Sequence, residues 1–240
     1  MVQAIGRAIA FLEKSREPYG LLFEDVMWRR FGVTRFADAL ARYDQRLNTD
    51  SFNAPMRRIF RRIADHANVP QPGDEAAIVA RVDQLTAPAL YCDRTPLPAD
   101  YGSRLDEANT AGAYLRTHAL LSLQWLREND CAPIDPPGYE AELIDAVATL
   151  IAPGDSVSDL ELEAASFLYS YGRGDTVDRA IVAETLAQQN RDGGWLVSTN
   201  EDVGSDWHGS ILALYLLLHA YCGERDYPPM LAPGPSPDRG

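Results

Sequence analysis

Apolar residues recur every three or four positions over most of the chain, and no segment alternates apolar and polar residues as a half-buried strand does. This periodicity predicts an all-α protein. We expect about ten helices, near residues 2–15, 21–30, 35–47, 54–68, 74–87, 104–129, 138–151, 158–172, 177–190 and 206–222.

The residues at the predicted helix ends agree with the periodicity. Pro55 stands in a first turn, where its missing N–H group is harmless, and Ser158 and Ser205 are candidate N-caps. Gly172 and Gly223 follow predicted helix ends, where glycine readily takes the left-handed conformation that ends a helix.

Two proline-rich stretches interrupt the helical pattern. Residues 86–103 include Pro88 and Pro96, and we expect a loop there because proline disrupts a helix interior. Residues 228–240 predict a flexible or surface-draped tail. We interpret the rest of the chain, residues 1–227, as a single domain, since this length is enough to bury a sizeable core.

Two kinds of helix alternate along the chain. Residues 120–126 and 211–217 are apolar around most of the helix circumference, so these helices must be buried. Residues 8–15 and 182–189 are apolar on one side only, which is typical of helices that cover a core from outside. The pattern therefore predicts inner and outer helices in alternation.

The most distinctive segment is the heptapeptide Gln-Asn-Arg-Asp-Gly-Gly-Trp at residues 189–195. It follows an apolar helical stretch, and Gly193 and Gly194 accept the positive φ angles of a tight turn. Trp195 then packs a large ring against the helix that has just ended. This combination resembles the QW repeat of the terpenoid cyclase and protein prenyltransferase superfamily.

The resemblance implies an α/α toroid built from antiparallel hairpins of inner and outer helices, incomplete because full members of the superfamily have more helices than we count here. It also implies a site in a central cavity at the N-terminal ends of the inner helices. Such a site would bring together residues 114–119, 158–164 and 204–209. For His118 to lie near a helix start, the predicted helix 104–129 must break near residues 109–112.

Three acidic residues begin one of the apolar helices. Asp159, Glu161 and Glu163 loosely resemble the acid motif of class II terpenoid cyclases, which implies that one of them donates a proton to an olefin. An apolar cavity favours this role because it raises the pKa of a carboxyl group. The adjacent aspartate pair of that motif is absent, and Glu161 faces away from the other two acids. Alternatively, the acids complement the dipole of the helix N-terminus.

Two histidines precede apolar helix segments. His118 and His208, with Asp206 nearby, form a set that binds a divalent metal or acts as acid and base. Protein prenyltransferases hold zinc with an aspartate, a cysteine and a histidine, but no cysteine stands in the matching context, so the metal stays open and acid-catalysed cyclisation requires none. Alternatively, each histidine satisfies a backbone group. We expect His219, late in its helix, to carry part of a positive charge.

Several aromatic residues fall on the presumed inner helices. We expect Tyr114, Trp125, Trp207 and Tyr169 to line the cavity, where ring faces contact an apolar chain or stabilise a carbocation. Alternatively, they are ordinary core residues. Trp195 is assigned to the turn and has no predicted role in chemistry.

Composition limits the partners and the compartment. A net charge of −13 with no continuous basic segment argues against nucleic acid. Cys92, Cys131 and Cys222 are odd in number and far apart, which predicts no structural disulfide and a reducing compartment. No apolar run approaches the roughly 20 residues that a membrane span needs. We therefore predict a cytoplasmic protein without a transmembrane segment.

Three functional hypotheses follow. The first is a cyclase-like or prenyltransferase-like protein that binds an apolar or isoprenoid small molecule in a central cavity and cyclises it by acid catalysis. The second is a non-catalytic toroid that acts as a scaffold for a partner protein, because the acid motif is degenerate. The third is a carbohydrate-active lyase or hydrolase, supported by Asp192, Asp202 and Asp206 around Trp195 and Trp207.

Overall fold

The computed structural model describes residues 1–49, 53–131, 138–152, 154, 156–197 and 204–234. Within these ranges the α-helices are α1 (Val2–Leu12), α2 (Pro18–Phe31), α3 (Ala39–Thr49), α4 (Ala54–Phe60), α5 (Arg81–Leu90), α6 (Tyr101–Ala111), α7 (Ala113–Glu128), α8 (Tyr139–Ala148), α9 (Asp159–Tyr171), α10 (Ala180–Ala187) and α11 (Trp207–Cys222). A two-stranded antiparallel sheet joins β1 (Trp195–Val197) to β2 (Ser205–Asp206). The all-α prediction is confirmed.

The helices differ in burial as their apolar patterns predict. In α11 every residue from 209 to 219 is buried, and residues 119–126 of α7 and 162–168 of α9 are buried as well. Helices α1 and α10 are buried on one side only. Because burial of apolar surface is the main favourable term in folding, the inner helices supply most of the core.

The inner helices pack in a continuous order. Helix α11 packs against α9, α9 against α7, and α7 against α5. Helix α2 packs against α3 and also against α11, and α1 packs against α11. The first two helices of the chain therefore contact the last one.

The heptapeptide at residues 189–195 contributes to this contact between the two ends of the chain. Gln189 Nε2 donates to the carbonyl groups of Ala4 and Gly193, both at 2.8 Å, and the Arg7 side chain donates to Gln189 Oε1. A Cβ atom at Gly193 would lie 2.5 Å from the Arg7 carbonyl oxygen, so only glycine allows this approach. The buried Trp195 ring donates from Nε1 to the Thr185 carbonyl at 2.6 Å. The segment is a structural clasp.

The long helix predicted over residues 104–129 is two helices. Gly112 separates α6 from α7 with φ of +74°, a conformation that L side chains rarely adopt. Arg116 donates to the Asn109 carbonyl at the end of α6 and helps to fix the break. His118 therefore lies in the second turn of α7, close to a helix start, as the expected break near residues 109–112 requires.

The helix predicted over residues 74–87 begins later than expected, at Arg81, and the loop predicted over residues 86–103 is confined to residues 91–100. Residues 74–77 form a short 3-10 turn, and α5 runs through Pro88 to Leu90. Proline in a helix interior costs about 3 kcal/mol, because it removes a donor and clashes with the preceding turn. Burial of side chains such as Leu85 and Leu90 contributes roughly 1.5–3 kcal/mol each and outweighs that cost.

The absence of a structural disulfide was also a wrong prediction. Cys92 and Cys131 form a disulfide with a Cα–Cα distance of 6.1 Å, and Cys222 is free. The two cysteines are 39 positions apart, but each follows the C-terminal end of α5 or α7, and these helices pack side by side. The cysteine spacing therefore supports no argument about the compartment. None of the described helices is long and apolar enough to cross a membrane.

Part of the proline-rich tail is held against the helices rather than flexible. Met230 and Leu231 are buried, and their N–H groups donate to the Glu128 carboxylate at 3.0 and 2.9 Å. Ala232 donates to the Ile63 carbonyl at 2.8 Å. A carboxylate on α7 thus supplies acceptors that the tail itself lacks. Residues 235–240 lie outside the described part of the chain.

Candidate functional site

The first two turns of α7, α9 and α11 meet at one end of a cavity of about 270 Å³. Four titratable side chains come together there: His118 from α7, Asp159 and Glu163 from α9, and His208 from α11. We call these four residues the acid–histidine cluster. The cavity is lined by Tyr19, Leu22, Phe23, Phe60, Ile63, Asp83, Thr86, His118, Leu121, Trp125, Glu163, Phe167, Trp207, His208, Ile211 and Leu212.

The start of α9 explains which of its three acids reach the cluster. Ser158 is the N-cap, and its hydroxyl accepts from the Glu161 N–H while Glu161 Oε2 accepts from the Ser158 N–H at 2.8 Å. This capping box holds Glu161 at the helix end, away from the cavity. Asp159 and Glu163 are one turn apart on another face and both enter the cluster.

The start of α11 separates the roles of Asp206 and His208. Asp206 is the N-cap, and its Oδ1 accepts from the Gly209 N–H at 2.9 Å. The cap leaves His208 in the first turn of the helix with its ring beside α9. Asp206 does not line the cavity. Its contribution is to hold the helix start and to place a negative charge near His208.

Asp159 and His208 form an ion pair. His208 Nδ1 donates to the Asp159 carboxylate at 2.9 and 3.1 Å, and the Tyr114 hydroxyl donates to Asp159 Oδ2 at 2.8 Å. Burial acts to raise the pKa of Asp159, but hydrogen bonds from His208 and Tyr114 and the charge of His208 outweigh it and lower the pKa. Burial acts to lower the pKa of His208, but the Asp159 carboxylate, followed by Glu163 and Asp206, raises it.

Glu163 lies between the two imidazole rings. Its side chain is 1% exposed, and its Oε1 accepts from the Thr117 hydroxyl. His118 Nδ1 lies 3.3 Å from Oε1, and His208 Nε2 lies 3.7 Å from Oε2. A buried carboxylate is stable only with such partners, since an isolated buried charge is very unfavourable.

His118 is oriented by the turn that precedes it. Its Nδ1 lies 2.8 Å from the Tyr114 carbonyl oxygen, which can only accept, so Nδ1 carries a proton. Burial acts to lower the pKa of His118, but the hydrogen bond and charge of Glu163, with smaller contributions from Tyr114 and Asp83, raise it. Both histidines therefore bind a proton more readily than a histidine in water.

Asp83 is a residue of the cavity that we did not predict. It lies in the first turn of α5, and burial raises the pKa of its carboxyl group while His118 partly opposes this. Its sequence context carried no signal, because Asp83 falls inside a segment assigned to an ordinary amphipathic helix. The rings of Tyr19, Phe23 and Phe60 were missed for a similar reason, since they come from the N-terminal quarter of the chain.

The predicted aromatic residues separate into three locations. Trp125 and Trp207 line the cavity. Tyr114 lies at its rim, where its hydroxyl bonds Asp159. Tyr169 is absent from the cavity and stacks on His219 at the other end of the inner helices, with a centroid distance of 5.9 Å. Helical spacing alone did not distinguish these positions.

The carboxylates that supported a carbohydrate site have structural partners. Asp192 accepts from the Gly194 N–H at 3.1 Å, the Ser205 N–H at 3.0 Å and the Ser205 hydroxyl at 2.7 Å, and thereby links the turn before β1 to the start of β2. Asp206 caps α11. Asp202 lies outside the described residues.

The cluster also contains a set of metal-ligand atoms. One ligand atom each from Asp159, Glu163 and His208 lie within 4.8 Å of one another. Two carboxylates and an imidazole suit Zn²⁺, Mn²⁺ or Fe²⁺. Among the described residues no cysteine lies there, because the free Cys222 is at the far end of α11. These residues fit a divalent cation of the nitrogen and oxygen class.

No known protein family, characterised protein or solved structure was found to match this chain. The arrangement places titratable groups beside an apolar, aromatic space, and this combination is typical of a small-molecule binding site.

Proposed function

We propose that the protein binds an apolar small molecule of the isoprenoid type in the cavity lined by α7, α9 and α11. We also propose that the acid–histidine cluster catalyses the cyclisation of this molecule. The observation that carries the proposal is the position of Glu163, buried between two histidines and lining a cavity with aromatic walls. A carboxylate bordered by imidazoles exchanges a proton with them, and the rings stabilise positive charge on a bound hydrocarbon.

An α/α toroid is our accompanying proposal for the architecture. Its support is the order in which α11, α9, α7 and α5 pack, the contact of α2 with α11, and the clasp between α1 and residues 189–195. Buried and one-sided helices alternate along the chain in the same way. This arrangement places helix N-termini around one cavity, where their partial positive charge favours carboxylates such as Asp159.

The cavity volume restricts the part of the ligand that is enclosed. An apolar cavity of about 150 Å³ holds one benzene ring, so 270 Å³ holds on the order of ten carbon atoms. His208 and His118 are 37% and 23% exposed, and they lie where a longer ligand leaves the cavity. The enclosed group therefore corresponds to about two isoprene units.

The proposed roles differ from those expected at the outset. Asp159 stays ionised and orients His208, because its pKa is lowered. Glu163 transfers a proton from its carboxyl group to a ligand double bond, so that an O–H bond breaks, a C–H bond forms and the neighbouring carbon becomes positive. A second double bond of the ligand then attacks this carbon, so that a C–C bond closes the ring and the positive charge moves to the other carbon of that double bond. Loss of a proton from an adjacent carbon to Glu163 ends the cyclisation and restores the acid. His118 and His208 border Glu163 and exchange protons with it between turnovers.

The test compares two glutamates on one helix. Geraniol and farnesol serve as probes, with binding followed by quenching of tryptophan fluorescence and products identified by gas chromatography with mass spectrometry. We expect Glu163→Gln to keep binding within about threefold and to lose turnover by at least about 100-fold, in the range of general acid catalysis. Glu161→Gln is the matched control, since glutamine also serves in a capping box and Glu161 is outside the cavity.

Three outcomes separate the hypotheses. Product formation that survives in Glu163→Gln contradicts the acid role. Binding without product in the wild-type protein favours a non-catalytic binding protein. Absence of binding by either probe contradicts an isoprenoid ligand altogether.

A metal-assisted site is the second candidate, favoured by the proximity of ligand atoms from Asp159, Glu163 and His208. Calorimetric titration with Zn²⁺ and Mn²⁺ tests it. We expect one equivalent to bind if the cluster is a metal centre, with loss of binding in His208→Gln and in Asp159→Asn. Turnover that resists prolonged chelation, together with no saturable metal binding, would leave acid catalysis without a metal.

A further inference from the structure

A second cavity lies at the opposite ends of the inner helices. It encloses about 1410 Å³ and is bounded by the last turns of α2, α7, α9 and α11, by one side of α10 and by residues 223–229. His208 and His219 occupy the two ends of α11, 11 positions or about 16 Å apart along the helix. This groove is therefore separate from the acid–histidine cluster, and we call it the lower groove.

A buried arginine lines the lower groove. Arg30 is 6% exposed, its Nη1 donates to the Ser170 hydroxyl at 3.1 Å, and its Nε has no hydrogen-bond partner among the described residues. Its Cζ atom lies 5.8 Å from the ring centroid of Tyr215 and 5.5 Å from that of Tyr227. A guanidinium stays charged in a protein, so its burial without a described carboxylate partner leaves a positive charge uncompensated.

Three further arginines line the same groove. Arg127, Arg179 and Arg225 form no ion pair with any described residue. Arg127 instead lies over the Tyr171 ring, with Cζ 4.2 Å from its centroid. Four arginines thus line one groove without an ion pair to any described residue, although four acidic residues line it as well.

The acidic residues of the groove form no ion pair with these four arginines. Glu128 accepts from the backbone of Met230 and Leu231, and Asp175 is paired with Arg173. The remaining acids in the lining, Glu224 and Asp226, are exposed at the rim.

Aromatic rings form part of the wall beside Arg30. His219 is buried and contacts Tyr169 at 5.9 Å in a stacked geometry and Tyr227 at 4.8 Å edge-on, measured between ring centroids. Its Nε2 has no hydrogen-bond partner among the described residues. Burial, assisted by the charges of Arg30 and Arg225, lowers the pKa of His219 to about 3, so the ring is neutral and offers one polar atom beside flat apolar surfaces.

We propose that the lower groove binds a small organic anion with a planar apolar body, its carboxylate held by Arg30 and its body against the rings of Tyr169 and Tyr227. A carboxylate matches the planar donor geometry of a guanidinium and would accept from Arg30 Nε, which has no partner among the described residues. The rings favour a flat body through stacking. The site is independent of the proposed cyclase activity, because it shares none of the four residues of the acid–histidine cluster.

Calorimetric titration of the full chain with 2-naphthoate tests the proposal. Two probes separate the parts of the ligand: 2-naphthamide has the same body without the charge, and inorganic phosphate has charge without the body. We expect saturable 1:1 binding of 2-naphthoate and at least tenfold weaker binding of both other probes. Equal binding of the amide contradicts the role of the charge, and equal binding of phosphate contradicts the role of the rings.

Four substitutions locate the binding site. We expect Arg30→Gln to weaken 2-naphthoate binding at least tenfold and Arg225→Gln, at an exposed position that folding tolerates, to weaken it about threefold. Arg35→Gln removes the same charge from an exposed pair with Glu13 and should change nothing. Glu163→Gln should also bind normally, which keeps this test distinct from that of the cyclase activity.

Absence of saturable binding in the wild-type protein overturns the proposal. Wild-type affinity in a folded Arg30→Gln variant does so as well. If Arg30→Gln does not fold, unchanged binding in Arg225→Gln decides against it.

Discussion

The two ends of α11 carry histidines with opposite properties. His208, in the first turn, faces Asp159 and Glu163, and its pKa is raised. His219, in the last turn, is enclosed by aromatic rings near Arg30, and its pKa falls to about 3. A histidine at the N-terminal end of α11 thus binds a proton readily, whereas a histidine at the C-terminal end of the same helix stays neutral.

The difference shows that local partners outweigh the helix dipole. The dipole favours a cation at the C-terminal end, which was the basis for expecting a partly charged His219, but its effect is typically about 0.3–1 kcal/mol. A pKa shift from 6.5 to about 3 corresponds to about 5 kcal/mol. Burial beside arginines therefore decides the state of His219, and the expectation was wrong for that reason.

The largest expected effect is acid destabilisation through His219. Its folded-state pKa is below its unfolded value, so the unfolded chain takes up a proton that the folded chain refuses as the pH falls from 6.5 towards 3. We expect this group to remove about 3 kcal/mol of unfolding free energy between pH 7 and pH 4. Denaturant unfolding at several pH values measures it.

His219→Gln serves as the comparison for that experiment, because glutamine does not titrate. The variant should lose this part of the pH dependence, whatever its absolute stability. A pH dependence identical to that of the wild-type protein would show that His219 is not the neutral, buried group described above.

The second largest expected effect is on the unfolding free energy, and it is measured for one substitution at each end of α9. Ser158→Ala removes the N-cap, and Gly172→Ala places a side chain at φ of +88°, so each should lower the unfolding free energy by about 1 kcal/mol. Thermal denaturation measures both. Only Ser158→Ala should also impair turnover of the isoprenoid probes, since the cap positions Asp159 and Glu163. Equal effects on turnover would contradict a catalytic role confined to the N-terminal end.

The smallest effect concerns the Asp159–His208 pair. Asp159→Asn should lower the pKa of His208, followed by NMR titration of its ring protons, and leave His219 unchanged. Because the pKa of His208 is raised in the folded state, its ion pair stabilises the fold below pH 6.5, and this contribution is lost as the pH rises through the folded-state pKa. The stability deficit of the variant should therefore be largest between pH 4 and 6.5. The pair is partly exposed, so we expect at most about 1 kcal/mol.

Asp206→Asn is the matched control for this substitution. Asparagine caps a helix as well as aspartate, so the start of α11 should be retained and the pKa of His208 should fall less than in Asp159→Asn. A larger decrease in the control would show that Asp206, and not Asp159, governs His208.

Features decided by neighbouring residues were predictable. The periodicity predicted the helices, Ser158 predicted the start of α9, and Gly112 lies where a break in the long predicted helix was required. The resemblance predicted that the segments carrying His118, Glu163 and His208 lie together, and these three side chains are close in the structure. It did not separate Glu163 from Glu161, because only the capping box removes Glu161 from the cavity.

Features decided by distant residues were not predictable. Asp83 belongs to the cavity because α5 packs against α7, and the Cys92–Cys131 disulfide forms for the same reason. Met230 is buried because Glu128 accepts its N–H group. None of these contacts can be inferred from the spacing of residues along the chain.

The sequence by itself determined an all-α protein with buried and one-sided helices, the N-cap at Ser158 and a clasp at residues 189–195, whereas the N-cap of α11 is Asp206 and not the predicted Ser205. These properties depend on backbone conformation and apolar periodicity, which act over one or two helical turns. Only the tertiary structure decided which carboxylates face histidines, which histidine is charged and which arginines lack a described countercharge. Those properties depend on burial and on partners within a few ångströms in space, and such partners come from helices far apart in the chain.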